Sequence, residues 1–286
     1  MAQKTKDWTV LSMLNWGTEF LEEKGIKNPR LSIEWLLSHT LKVKRLDLYL
    51  AFDRPISASE LEILRPLIKR RAQHEPLQYI TGETDFLRTR IQVNEHVLIP
   101  RPETEQLVEL VLEKYNQPEL NVIDIGTGSG CIPIALKMER PEWDVSGIDI
   151  SEDALSVAKK NASLNNVDVA FGCEDLFLLA EQQSNEQYDI IISNPPYVLQ
   201  AEKEILDKEV VDFEPHLALF CESTTHMYSA LQKFARKTLT DKGILFLEIH
   251  QNQSKEIENV FNNSEWSITI KTDYDGHDRF AVCTPK

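Results

Sequence analysis

From residue 120 onward the chain alternates short apolar runs with amphipathic stretches, and this alternation restricts the fold more than any other feature. Strand-like runs fall at residues 120–126, 143–149, 167–173, 188–194, 243–250, 265–271 and 278–284. Helical patterns at 129–139, 151–164, 223–239 and 251–262 separate most of them. Parallel strands need crossover connections, and helical crossovers cover both faces of a sheet. The pattern therefore predicts an α/β fold with a seven-stranded, mostly parallel, doubly wound sheet and ligands at the carboxyl ends of its strands. Only a short turn containing Asp275 and Gly276 separates the last two runs, so these should pair antiparallel. Residues 195–222 form the one long gap, and a connection of that length beside a strand end reads as a substrate-binding lid.

The chain before residue 76 has a different period. Trp8, Leu11, Leu14, Trp16, Phe20 and Leu21 recur mostly at helical spacing before Gly25. A second helix opens at Asn28 with Pro29 as its first residue and carries Leu31, Ile33, Trp35, Leu36 and Leu37. Ser57 and Glu60 have capping-box spacing ahead of Leu61, Ile63, Leu64, Leu67 and Ile68, with Pro66 as a point for a kink. A short helix near 45–51 completes a small helical-bundle domain over residues 1–75, whose Trp and Leu stripes read as core. Over residues 76–100, Thr89, Ile91 and Val93 alternate with Arg90 and Gln92 as a strand would. With residues 79–82 as its partner, this segment reads as a β-hairpin linker. The α/β domain then occupies residues 101–286, opening with a helix whose first turn accommodates Pro102.

Charge narrows the partners. The net charge is −15, yet residues 1–85 carry 13 Lys and Arg against 12 Asp and Glu, leaving 18 against 34 in the remainder. That acidic excess repels phosphate backbones, so no direct nucleic-acid partner is expected. The basic run Lys69-Arg70-Arg71 reads as a solvated helix end. Cys131, Cys173, Cys221 and Cys283 form no Cys-x-x-Cys pair; they read as small core residues, and no metal is expected. With neither an apolar leader nor a membrane-length stretch, the expected location is the cytoplasm, without a membrane partner.

Two strand ends carry chemistry. The run Val122-Ile123-Asp124-Ile125 enters Gly126-Thr127-Gly128-Ser129-Gly130 and then a helix. Glycines permit a tight turn and let a ligand approach backbone N–H groups at a helix N-terminus. Asp149 ends the second strand, 23 residues after Gly126, close to the offset at which an acid meets ribose hydroxyls. Both dinucleotide and adenosylmethionine enzymes satisfy these features. Glu174, Asp175, Leu176 and Phe177 end the third strand and would flank an adenine with polar and apolar groups. The fourth strand ends in Asn194-Pro195-Pro196-Tyr197. Two prolines stiffen this turn and fix its carbonyls, while Asn194 adds an amide and Tyr197 a hydroxylated ring. Such a turn beside the first strand grips a planar group bearing N–H donors. A methyltransferase acting on a planar nitrogen needs it, and a hydride-transfer enzyme does not.

The chain resembles the release-factor glutamine methyltransferases of the PrmC/HemK type over nearly its whole length. The resemblance rests on Pro76-Leu77-Gln78-Tyr79-Ile80-Thr81-Gly82, Leu98-Ile99-Pro100-Arg101-Pro102-Glu103-Thr104, residues 124–130, the Asn194 to Tyr197 turn, Phe213-Glu214-Pro215 and Leu247-Glu248. It implies a Rossmann-like class I methyltransferase using S-adenosyl-L-methionine and releasing S-adenosyl-L-homocysteine. The implied substrate is the glutamine of the Gly-Gly-Gln motif in class 1 peptide chain release factors, methylated on N5, with the helical domain recognising the protein. Asn194, Pro195 and Tyr197 would be catalytic, and with Pro196 would bind the substrate. Gly126, Thr127, Gly128, Ser129, Gly130, Asp149, Asp175, Leu176 and Asn194 would hold the cofactor. The chain departs from the family pattern at residues 221–226 and at His250, where glycines are usual. An N6-adenine methyltransferase shares such a turn but calls for a basic groove, and a non-catalytic binding protein on this fold would not need Asp149 and Asn194 intact.

Overall fold

The computed structural model describes residues 8–261 and 265–286. Residues 1–7 of the expected helical domain and residue 262 of the last expected helix lie outside them. The helices are α1 (Val10–Glu23), α2 (Pro29–Leu41), α3 (Ala58–Arg71), α4 (Leu77–Thr81), α5 (Pro102–Lys114), α6 (Cys131–Glu139), α7 (Glu152–Leu164), α8 (Leu176–Glu181), α9 (Lys208–Phe213), α10 (His216–Leu219), α11 (Thr224–Thr238) and α12 (Ser254–Phe261). The strands are β1 (Glu83–Phe86), β2 (Thr89–Gln92), β3 (Asn121–Ile125), β4 (Asp144–Asp149), β5 (Ala170–Cys173), β6 (Tyr188–Ser193), β7 (Val198–Leu199), β8 (Phe220–Cys221), β9 (Leu239–Glu248), β10 (Trp266–Thr272) and β11 (Asp278–Pro285). Contacts divide the described chain into two compact units, residues 8–82 with Asp207–Phe213, and Glu83–Leu206 with Glu214–Lys286.

The first unit is helical. The Ser57 hydroxyl accepts the Glu60 N–H while the Glu60 carboxylate takes the Ser57 N–H at 2.8 Å, so α3 starts where the capping box places it. Leu14, Leu21, Ile33, Leu36, Leu37 and Leu64 are fully buried between α1, α2 and α3. The aromatic stripes do not all join them: Trp16 and Trp35 are 37% and 41% exposed, on outward faces of α1 and α2. The basic run also departs from a solvated helix end. Arg71 is 4% exposed and donates to Ser32 Oγ at 3.1 Å, the Glu75 carbonyl at 2.8 Å and Glu209 of α9 at 2.7 Å. A buried guanidinium needs such partners for its desolvation to be offset.

The second unit holds a seven-stranded sheet in the order β10-β11-β9-β6-β3-β4-β5. Strands β9, β6, β3, β4 and β5 run parallel, and β11 pairs antiparallel with both β9 and β10. The chain leaves β3 toward β4 and β5 and returns on the other side at β6, so the strand order reverses between β3 and β6. Ligands of open α/β sheets sit at such a reversal. Ile190, Ile191 and Ile192 of β6 are fully buried, each worth about 1.5–3 kcal/mol, which fixes the turn that follows them.

Residues 79–82 do not pair with β2: Pro76 caps α4, Gly82 ends it at φ +82°, and the hairpin partner begins only at Glu83. The hairpin is tied to the sheet layer by Asn161 of α7, whose Oδ1 accepts the Gln92 N–H at 2.7 Å. Its Nδ2 donates to the Gln92 carbonyl at 3.0 Å and to the Ser129 carbonyl at 2.9 Å. Cys173 is exposed, whereas Cys131, Cys221 and Cys283 are buried. Residues 195–222 contain a 3₁₀ turn at Gln200–Ile205, α9, α10 and a short parallel β7–β8 pair, elements too brief to show a periodicity. Among the described residues no helix is long and apolar enough to cross a membrane.

Candidate active site

The ends of β3, β4, β5 and β6 border one cavity of about 300 Å³. Gly126, Gly128, Asp149, Glu174, Asp175, Leu176, Phe177, Asn194, Pro195 and Pro196 line it, together with residues 95–98 of the segment after the hairpin and Pro215, Leu217, Ala218 and Met227 from the 195–222 connection and α11.

On the β3 side the wall is main chain. Gly126 and Gly128 have φ +75° and +54°, a region costly for any residue with a Cβ, and a Cβ on either would meet nothing within 4 Å. The Gly128 N–H donates to Asp149 Oδ2 at 2.8 Å, while Asp149 Oδ1 takes the Ser151 N–H at 2.9 Å. Asp149 thus braces the glycine turn as well as facing the cavity. Burial raises its pKa, opposed by these N–H groups. Thr127, Ser129 and Gly130 lie behind this wall rather than in it: Thr127 and Ser129 are buried, and a Cβ on Gly130 would approach Ala158 to 3.0 Å.

Asp124 precedes the glycine turn and is fully buried. Neither of its carboxylate oxygens, nor Thr127 Oγ1, has a hydrogen-bond partner among the described residues. Burial pushes its pKa up to about 7, and the Asp149 charge adds to the rise. At β5 the Asp175 carboxylate accepts the Phe177 N–H at 2.8 Å and caps α8, a helix of six residues whose apolar sequence gave no period to read.

On the β6 side the wall is side chain held from behind. Asn194 Nδ2 donates to Thr104 Oγ1 at 3.1 Å, and that hydroxyl donates to Glu248 Oε2 at 2.7 Å. Tyr197 does not line the cavity; its hydroxyl donates to Glu248 Oε1 at 3.2 Å and its ring centroid lies 6.0 Å from that of His250. Gln253 Nε2 donates to the Tyr197 carbonyl at 2.8 Å, and Tyr228 donates to Gln253 Oε1 at 2.7 Å. Burial raises the pKa of Glu248 to about 7, opposed first by Thr104, and also holds the Tyr197 phenol above its ordinary value. Glu214, 4% exposed, accepts the Ile99 N–H at 3.2 Å and an Arg101 hydrogen bond at 2.5 Å, so one carboxylate fastens the end of the 195–222 connection to the strap before α5.

A cavity at the reversal point with open glycines, an acidic edge at Asp149 and apolar side chains at Leu176, Phe177 and Met227 has the donor set and shape for an adenosine-bearing sulfonium cofactor. Fold and site together define a Rossmann-like, S-adenosyl-L-methionine-dependent methyltransferase. The family described as "Methyltransferase small domain" matches residues 103–273, and "PrmC N-terminal domain" matches residues 12–82. The release factor glutamine methyltransferase of Leptospira interrogans is 39% identical over 96% of this chain and 98% of its own length. That of Chlorobaculum tepidum is 37% identical over 97% and 98%. Among solved structures, the hMettl16 catalytic domain bound to an RNA hairpin shares the fold, with a TM-score of 0.52 at 19% identity over 76% of this chain and 80% of that one. The chain belongs to the release factor glutamine methyltransferase family.

Proposed function

We propose that the enzyme methylates N5 of the glutamine in the Gly-Gly-Gln motif of class 1 peptide chain release factors, acting in the cytoplasm. The observation that carries this reading is the state of Asn194. Its Nδ2 donates one hydrogen to Thr104, which orients the amide, and Oδ1 accepts no hydrogen bond among the described residues and is open to a ligand. An acceptor fixed beside the Pro195 carbonyl matches the two N–H bonds of a primary amide.

Bound S-adenosyl-L-methionine supplies a methyl group on a sulfonium, an electrophile that needs no further activation. An amide nitrogen is a weak nucleophile, because its lone pair is delocalised, so the protein must aim it. Asn194 Oδ1 and the Pro195 carbonyl accept the two N–H bonds and direct the nitrogen into the cavity. Pro196 restricts the turn that presents them. Positioning of this kind supplies on the order of 7–11 kcal/mol in favourable intramolecular cases. The displaced proton passes to water. Gly126, Gly128, Asp149, Asp175 and Leu176 hold the cofactor, Asp149 by accepting ribose hydroxyls; Thr127, Ser129 and Gly130 act by shaping the turn. Tyr197 supports the substrate wall through Glu248.

The helical unit is assigned to holding the protein substrate. It presents a groove of about 540 Å³ lined by Trp16 and Phe20, whose rings stack at 5.2 Å, with Lys24, Arg65 and Lys69 among its lining residues. Mass spectrometry of a release factor incubated with enzyme and labelled cofactor tests the main reading. One methyl on the Gly-Gly-Gln peptide is expected, and an unmodified peptide would refute it.

A further inference from the structure

Asn194 is an amide, and an amide has two ends of nearly equal shape and opposite polarity. A side chain that accepts N–H bonds when Oδ1 faces the cavity becomes a donor when it turns over. What holds the correct end forward lies one and two residues deeper, in Thr104 and Glu248, which come from α5 and from the end of β9.

We propose that Thr104 and Glu248 are positioning residues that impose a direction on the hydrogen bonds behind Asn194 and thereby make it an acceptor. The inference rests on the reading of Asn194 as the acceptor for the glutamine amide. A hydroxyl has one hydrogen. That of Thr104 goes to Glu248 Oε2 at 2.7 Å, and that of Tyr197 goes to Oε1 at 3.2 Å. With its hydrogen spent, Thr104 Oγ1 offers only lone pairs to Asn194 at 3.1 Å, so the N–H₂ end must turn toward it. Glu248 is the sink on which both hydroxyls converge. It is 1% exposed, and Thr104 is 3% exposed, so water does not compete for these bonds. Above its pKa of about 7 the Glu248 carboxylate has lone pairs alone, which fixes the direction of the whole chain.

A glutamine at position 248 keeps the shape and removes this constraint. Its Nε2 can face Thr104, whose hydroxyl then turns to Asn194 and admits the reversed amide, with N–H₂ toward the cavity. A valine at position 104 keeps the volume and removes the contact. A serine there keeps the hydroxyl.

Two measurements on the full chain at pH 8.5 test this. The first is the Asn194 side-chain NMR resonance, assigned by its loss in Asn194→Ser and read without any substrate. It should move in Thr104→Val and Glu248→Gln, and stay near its wild-type position in Thr104→Ser; a resonance unmoved in Thr104→Val overturns the proposal whatever the substrate is. The second is kinetics on a release factor. Thr104→Val should lower kcat about 10- to 100-fold, Thr104→Ser should recover most of that loss, and the Kd for S-adenosyl-L-homocysteine should stay within about twofold throughout. Equal losses in the serine and valine variants, or undiminished kcat in both Thr104→Val and Glu248→Gln, would also overturn it. Neither result touches the methylation of a release factor by the wild-type enzyme, so the two readings fail separately.

Discussion

The β3 and β6 corners of the cavity are built by opposite means. At β3 the wall is backbone: two glycines at positive φ leave open space, and Asp149 fastens them through one N–H. At β6 the wall is an amide side chain whose partner Thr104 stands 90 residues away and is itself bonded to Glu248. A backbone wall tolerates little change in the residue itself. A side-chain wall tolerates little change in the residues that stand behind it.

Asn194→Ala breaks the β6 corner outright and gives the largest expected effect. Turnover should fall about 1,000-fold or more, while calorimetry finds the Kd for S-adenosyl-L-homocysteine within about twofold of wild type. Unchanged methylation by this variant would remove Asn194 from the mechanism. Gly128→Ala does the converse: a Cβ at φ +54° costs about 1–2 kcal/mol and projects into the open space of the β3 corner. The expected outcome is cofactor binding weakened about 10- to 100-fold with the KM for protein substrate nearly unchanged; a shift in the protein KM alone would contradict the division of labour.

Asp124 sharpens the comparison through pH. Its folded pKa of about 7 lies above the ordinary 3.8, so the folded state holds the proton more tightly than the unfolded chain does. Stability is therefore lost as pH rises from about 4 to 7 and stays lost above, by about 4 kcal/mol as an upper bound. Asparagine cannot ionise. Thermal melts of ligand-free Asp124→Asn should show Tm raised at pH 8 and little changed at pH 4, and equal shifts at both would show that the charge is not the cause. The smallest effect is expected outside the cavity: Trp16→Ala in the helical groove should raise the KM for a release factor several-fold and leave cofactor affinity alone, as titrations of each would show.

The same contrast explains what was legible in the sequence. The seven-stranded sheet and the glycine turn follow from local patterns, because strand, turn and brace lie within 30 residues of one another in the segment between Asn121 and Asp149. Asn194 and the prolines announce a stiff turn in the sequence itself. The role of Thr104 is not legible there, since a threonine in a helix's first turn has many uses and its partners are set by folding. The place of Tyr197 in the turn points to a substrate contact, but the bond of its hydroxyl to Glu248 is a partnership no spacing rule identifies. Helix α8, five apolar residues followed by Glu181, is too short to show a period, and the Asp175 cap two residues before Phe177 is its one local signal.

Asn161 has a consequence for the size of the opening. Its single amide grips the hairpin at Gln92 and the glycine turn at Ser129 with all three of its bonds. Residues 95–98, just past that hairpin, line the cavity, as do the open glycines of that turn. The gap between the two is therefore gauged by the width of one buried carboxamide, and a shorter or longer side chain at this position would change the aperture of the site without touching anything inside it.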